Sequence, residues 1–334
     1  MRSSEYEVLL HRHPNNPILT AKDWPYPIHT VFNPGATRLK DGSTLLLCRA
    51  EDRRGISHLC AARSRNGIDN WIIDSEPTFA PDPINYPEEV WGIEDPRITY
   101  MPDIQEYLVA YTAFGKSGPG VAIASTTDFV NFQRYGLVMH ADDKDAAIFP
   151  RRFNGEYALI HRPSTETSAH MWISFSPDLH NWGRTMLLLP ARRGAWWDAR
   201  KIGLSPPPIE TEEGWLVMYH GVRRHASGSI YRLGLALFDL KHPEICLKRG
   251  NVWMFGPEEP YELVGDVGSA VFPCGYTVDD DQDGINFYYG AADSSICLAT
   301  ASISQMLNWL NQEGNQLTGV AGQIAEQGSD EPPY

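Results

Sequence analysis

The chain has 334 residues, 42% hydrophobic and 21% charged, an ordinary globular composition for one large or two medium domains and not that of a disordered chain. Its net charge of -14 argues against nucleic acid as the main partner, because a phosphate backbone is met by a basic face. No run of about 18 apolar residues occurs and the first seven residues carry no apolar signal-type core, so no membrane partner is expected and a cytoplasmic location is.

In chain order, residues 5–30 look irregular, broken by Pro14, Pro17, Pro25 and Pro27, with one short edge strand expected at Asn16-Pro17-Ile18-Leu19. They are read as an N-terminal extension, and their aromatic character leaves room for a homo-oligomer. A hairpin follows, residues 35–39 and 44–49 about a turn at Lys40-Asp41-Gly42, then strands at 57–64 and 71–73. The unit of a hairpin and further strands returns at 97–125, at 148–175, from Leu204 to Phe238, and from Ala270 to Ala301. Each of the first three units closes on a similar turn: Ser64 to Trp71, Ser125 to Phe132, and Ser176 to Trp182 start on a small polar residue and end on Asn and an aromatic. Asp239-Leu240-Lys241-His242-Pro243 takes the equivalent place in the fourth. Five such units, about 50 to 60 residues each, predict an all-β fold: a five-bladed β-propeller over residues 31–302, in preference to a sandwich. A short C-terminal helix is expected from Ile303 to Leu310, followed by a poorly ordered polar tail, so that 303–334 stands outside the propeller. The five cysteines, odd in number and without a CxxC, point to reduced thiols and to neither disulfides nor zinc. Asp279 to Gly284 has the composition of a calcium loop but lacks its closing Glu, and is read as a solvated hairpin tip; no metal is expected.

In a propeller the innermost strands line a central channel. Their starts and partners carry an unusual polar set: Asn33 and Arg49; Glu94, Asp95 and Arg97; Lys144, Asp145 and Arg162; Lys201, His220 and Tyr231; Asp266 and Asp293. Any one of these alone is a turn, a surface ion pair or a core histidine. Gathered at one end of a channel, they call for a ligand, since unpaired buried charge is costly. The stretch Gly92-Ile93-Glu94-Asp95-Pro96-Arg97 is central. Pro96 holds Asp95 towards extended geometry, and period-2 alternation predicts that Asp95 and Arg97 share a face.

Taken together, Asn33-Pro-Gly, Arg49, Gly92 to Arg97, Lys144-Asp145, His161-Arg162-Pro163, Lys201-Ile-Gly203, Tyr219-His-Gly221 and Tyr231-Arg-Leu-Gly234 resemble glycoside hydrolase family 130, the β-mannoside phosphorylases and related mannosidases. The resemblance runs from about residue 14 to about 305. It implies inverting phosphorolysis of β-mannosides to α-mannose 1-phosphate, with inorganic phosphate as co-substrate and no cofactor. It makes Asp95 the catalytic acid, acting through a sugar hydroxyl. It assigns phosphate to Arg162, Lys201, His220 and Tyr231, with Arg151 or Lys144 as an addition. It gives the mannose hydroxyls to Asn33, Arg49, Arg65 and Asp293, with Glu94, Arg97, Lys144 and Asp145 in the same substrate-binding set. A hydrolase of the family would instead need a carboxylate base, for which Glu258, Glu259 and Asp266 are the candidates. A non-catalytic sugar-binding propeller is the remaining alternative. Linkage and acceptor are left to loops expected to cap the channel, at 114–119, 191–197 and 223–229.

Overall fold

The central strand Thr44–Glu51 reads Thr-Leu-Leu-Leu-Cys-Arg-Ala-Glu, apolar on both faces over most of its length. Such a strand has to be covered on both sides, and side chains alternate between the two. Leu45 and Leu47 join one apolar cluster with Val109 and Tyr111, while Leu46 and Cys48 join another with Tyr288, Ile296 and Leu298. Each sheet is thus packed between two neighbours, and the only closed solution is a ring. A computed structural model, describing residues 6–165, 169–225 and 228–320, has this form: five sheets, five inter-sheet cores, one propeller.

The blades start on the innermost strands Thr30–Arg38, Ile93–Met101, Asp143–Ile148, Lys201–Leu204 and Val271–Val278, and every strand pairing within them is antiparallel. The repeated closing turn has a physical basis. The hydroxyls of Ser64, Thr126 and Ser176 accept the amide three residues on, from Gly67, Phe129 and Leu179 at 3.2, 2.9 and 3.0 Å. The second unit thus starts its turn on Thr126, one residue after the expected Ser125. Asp239 accepts the Lys241 and His242 amides, each at 2.8 Å.

The chain's first described stretch is more than an extension. His11–Arg12 and Leu19–Thr20 pair with Ser295–Ser302 and supply the outer edge of the fifth blade, so the ring is closed by its two ends. The helix is Ile303–Glu313, capped by the Ser302 hydroxyl, with Met306, Leu307, Trp309 and Leu310 buried against the fourth and fifth blades. Gly314–Val320, expected as loose tail, is a strand paired with Ile245–Gly250 at the edge of the fourth blade. The remainder of the expected tail lies outside the described residues. Among the described residues no helix is long and apolar enough to cross a membrane.

Candidate active site

In three blades the innermost strand is interrupted at the same place. Register slips between Phe32 and Gly35, between Glu94 and Arg97, and between Lys144 and Ala147. The first residue after each break has a left-handed backbone: Asn33 at φ 44°, Asp95 at 50° and Asp145 at 54°. Asn and Asp enter that region more readily than other side chains, and a bulge re-aims the side chain it carries. Three short polar groups are thereby turned into one cavity of about 130 Å³. Gly92, at φ 114°, opens this path for the second blade; a Cβ there would lie 2.7 Å from the Ser57 amide nitrogen.

Two half-sites meet in the cavity. On one side, Asp95 Oδ1 accepts from Asn33 Nδ2 at 2.9 Å and from Arg49 Nη1 at 3.0 Å. Arg49 also holds Ser57, Glu51 and Glu94, and lies over the Phe32 ring. Asn33 Oδ1 is buried without a hydrogen-bond partner among the described residues. Asp293 completes this side. On the other side, Arg162 Nε donates to Asp145 Oδ2 at 2.6 Å, and His220 Nε2 lies 3.4 Å from the same oxygen. Lys201 and Tyr231 line this side, with the Lys201 ammonium 5.4 Å from the Tyr231 ring centre, and the charge of Lys144 acts on Asp95 and on Lys201 alike.

Burial pushes the Asp95 carboxyl up, but Arg49, Lys144, the Asn33 amide and Arg97 outweigh it and hold the pKa below the ordinary value. Asp293 goes the other way: burial and the charge of Asp95 push it up to about 7. Burial, with Arg162 beside it, brings Lys201 down to about 8. His220 is brought down to about 4 by burial, against the pull of Asp145, so its ring is neutral at pH 7. Burial raises Tyr231 to about 12. The lining therefore carries four cations, Arg49, Lys144, Arg162 and Lys201, against Asp95, Asp145 and a half-titrated Asp293. An anion fits this excess, and the hydrogen-bonding groups on the Asp95 side fit a sugar.

Residues 10–312 match the glycoside hydrolase family 130 profile, described as β-1,4-mannooligosaccharide phosphorylase. The chain belongs to glycoside hydrolase family 130. It is 31% identical over 314 residues to a β-1,4-mannooligosaccharide phosphorylase of Ruminococcus albus, covering 91% of each chain. It is 36% identical over 261 residues to a β-1,2-mannobiose phosphorylase of Listeria innocua, covering 77% of this chain and 70% of that one. A solved Listeria innocua β-1,2-mannobiose phosphorylase in complex with β-1,2-mannobiose superposes with a TM-score of 0.82 at 28% identity, over 91% of this chain and 99% of the other.

Within this family 130 chain, the cavity gathers Asn33, Arg49, Asp95, Lys144, Asp145, Arg162, Lys201, His220, Tyr231 and Asp293. Arg97 does not join them. The bulge breaks the alternation expected from an extended strand, and Arg97 is buried beneath the cavity, donating to the carbonyls of Ser205 at 2.6 Å, Leu204 at 2.9 Å and Asp95 at 3.2 Å. Arg65 is exposed, next to the strand end where Ser64 pairs with Thr44, the opposite end of the blade from Arg49. Among the described residues Glu94 touches the site only through Arg49. Arg151 pairs with Glu210 at 2.7 Å outside the cavity. Of the three candidate bases none lines it: Glu258 pairs with Arg12, Glu259 precedes a short helix, and Asp266 pairs with His29. Of the loops expected as caps, 114–119, 191–197 and 223–229, none contributes a described residue to the lining. Phe272 was not foreseen. It contacts the His220 ring at 4.7 Å between centres, and its only signal in the sequence is its place at the start of the fifth innermost strand.

Proposed function

We propose that this chain is a β-mannoside phosphorylase that transfers a mannosyl group to inorganic phosphate with inversion, giving α-mannose 1-phosphate, and that it needs no further cofactor. The observation that carries the reading is the meeting of a buried carboxylate, Asp95, with a pocket whose Lys144 and Lys201 have no carboxylate ion-pair partner among the described residues. The names of the relatives support the same reaction class. In this reading Asn33, Arg49 and Asp293 hold the sugar, while Arg162, Lys201, His220 and Tyr231 hold phosphate, with Lys144 between them.

The electrostatics suggest how the acid is armed. The cations around Asp95 hold it ionised. A phosphate dianion neutralises those cations and adds a like charge, and both effects raise a neighbouring carboxyl. Asp95 then carries a proton when both substrates are bound and delivers it, through a sugar hydroxyl, to the leaving oxygen. The bond from C1 to that oxygen breaks as a phosphate oxygen bonds to C1 from the opposite face. The proton brought by hydrogen phosphate restores the balance, so the carboxyl is regenerated. Because phosphate is the nucleophile, no second carboxylate is required, in keeping with the positions of Glu258, Glu259 and Asp266 outside the cavity.

Asp95→Asn tests the assignment. Turnover is expected to fall by about a thousand-fold or more, with phosphate binding by calorimetry retained. Turnover within a few-fold of the parent would remove Asp95 from the acid role.

A further inference from the structure

The hairpin that carries His220 and Tyr231 has a second face. Cross-strand partners share a face and alternate along each strand, so Gly221 and Arg232 point away from the channel, as does Arg223 two residues on. Against this back face packs Trp197, whose ring occupies the space a Cβ would need at Gly221 and Gly234, 2.5 and 2.6 Å away. Trp197 stacks on Tyr219 and donates to the Asn251 carbonyl. Trp196, Trp253 and Phe255 complete an aromatic cleft of about 520 Å³, which shares no lining residue with the channel cavity. Arg232 lies over the Trp253 ring at 4.8 Å.

Arg223 and Arg232 face this cleft together, and neither forms an ion pair with a carboxylate among the described residues. The two acids in the lining have partners of their own: Glu258 pairs at 3.3 Å with Arg12, a third guanidinium of the same lining, and Glu7 accepts from the Gln305 amide at 3.0 Å. Burial and Arg223 lower the pKa of Arg232, the effect of two like charges held close. Two guanidinium groups without a carboxylate partner among the described residues make a fork for a phosphate, and the partly exposed Trp253, one face of it under Arg232, borders the cleft with apolar surface for a sugar ring.

We propose that this cleft is a second binding site, for a hexose phosphate, on the outer side of the hairpin that bounds the catalytic cavity. That its ligand includes the enzyme's own product class rests on the phosphorolysis proposed above; the site itself rests on the arginine pair and its aromatic walls. The test is calorimetric titration of α-mannose 1-phosphate into the full chain carrying Lys201→Ala, which weakens the channel site, and into the same chain carrying Arg232→Ala as well. One site is expected to survive in the first protein and to weaken at least ten-fold, about 1.4 kcal/mol, in the second. Should Arg232→Ala fail to fold, Arg223→Ala, at an exposed side chain, reads the same site. No surviving site, or a surviving site indifferent to the arginine changes, overturns the proposal. So does equal competition by neutral β-mannobiose, which would make the cleft an oligosaccharide site. Phosphorolysis by the parent protein is scored separately. Retained hexose phosphate binding without phosphorolysis upholds the site and removes only its link to the product.

Discussion

Lys201 is a half-buried ammonium whose strongest influences are desolvation and another cation, Arg162. With its pKa near 8, its charge is largely present at pH 7, half lost at pH 8 and gone well above it. The KM for phosphate is therefore expected to climb as pH rises through 8. Lys201→Arg, whose guanidinium stays charged, should flatten that climb; an unchanged climb places the titration elsewhere. Asp293 makes the opposite kind of prediction. Its pKa of about 7 in the fold exceeds the unfolded carboxylate value of about 4. Between those values the unfolded state holds fewer protons, so stability falls as pH rises through that window. Asp293→Asn, with no proton to lose, is expected to raise the thermal midpoint by several degrees at pH 8 and to change it little at pH 4. The same shift at both pH values would contradict this, and sugar binding should be lost in either case.

At the scale of elements, the edge that closes the ring hangs on Arg12. Its guanidinium donates to Glu262 at 2.8 and 2.9 Å and to the Gly256 carbonyl at 2.6 Å, and stacks on Phe255 at 4.3 Å. Glu262 is fully buried and also accepts from the Tyr289 hydroxyl and the Glu258 and Glu259 amides, so Arg12→Ala removes its counter-ion but not all its donors and should cost about 3 kcal/mol in urea unfolding. A loss under about 1 kcal/mol would mean that the N-terminal edge contributes little to closure. The blades were legible in the sequence because the closing turn needs a hydroxyl or carboxylate at a fixed offset from the amides it accepts. The closing edge was legible only in part. The short edge strand expected over Asn16 to Leu19 is present at Leu19–Thr20, but His11 pairs with Thr300, and a two-residue strand whose partner lies that far along the chain leaves no local pattern. The channel residues were legible as types, Asn33, Asp95 and Asp145 above all. Arg97 was misplaced because alternation fails at a bulge, and Arg65 because a resemblance gives a residue's neighbours in sequence and not which end of a blade it occupies. Phe272 escaped because an apolar residue at a strand start looks like any core residue.

The whole molecule carries a charge of -14, yet its channel gathers four cations around three carboxylates. The surface charge is distant and screened by salt, while the pocket charge is buried and close, so the pocket decides what enters. The ring makes this possible: groups from all five blades, from Asn33 to Asp293, converge on a space that no single sheet could enclose. The most direct test of the central claim is release of sugar from β-1,2- and β-1,4-mannobiose with and without inorganic phosphate. Mannose 1-phosphate formed only when phosphate is present is the predicted result. Free mannose formed equally well in its absence would contradict it.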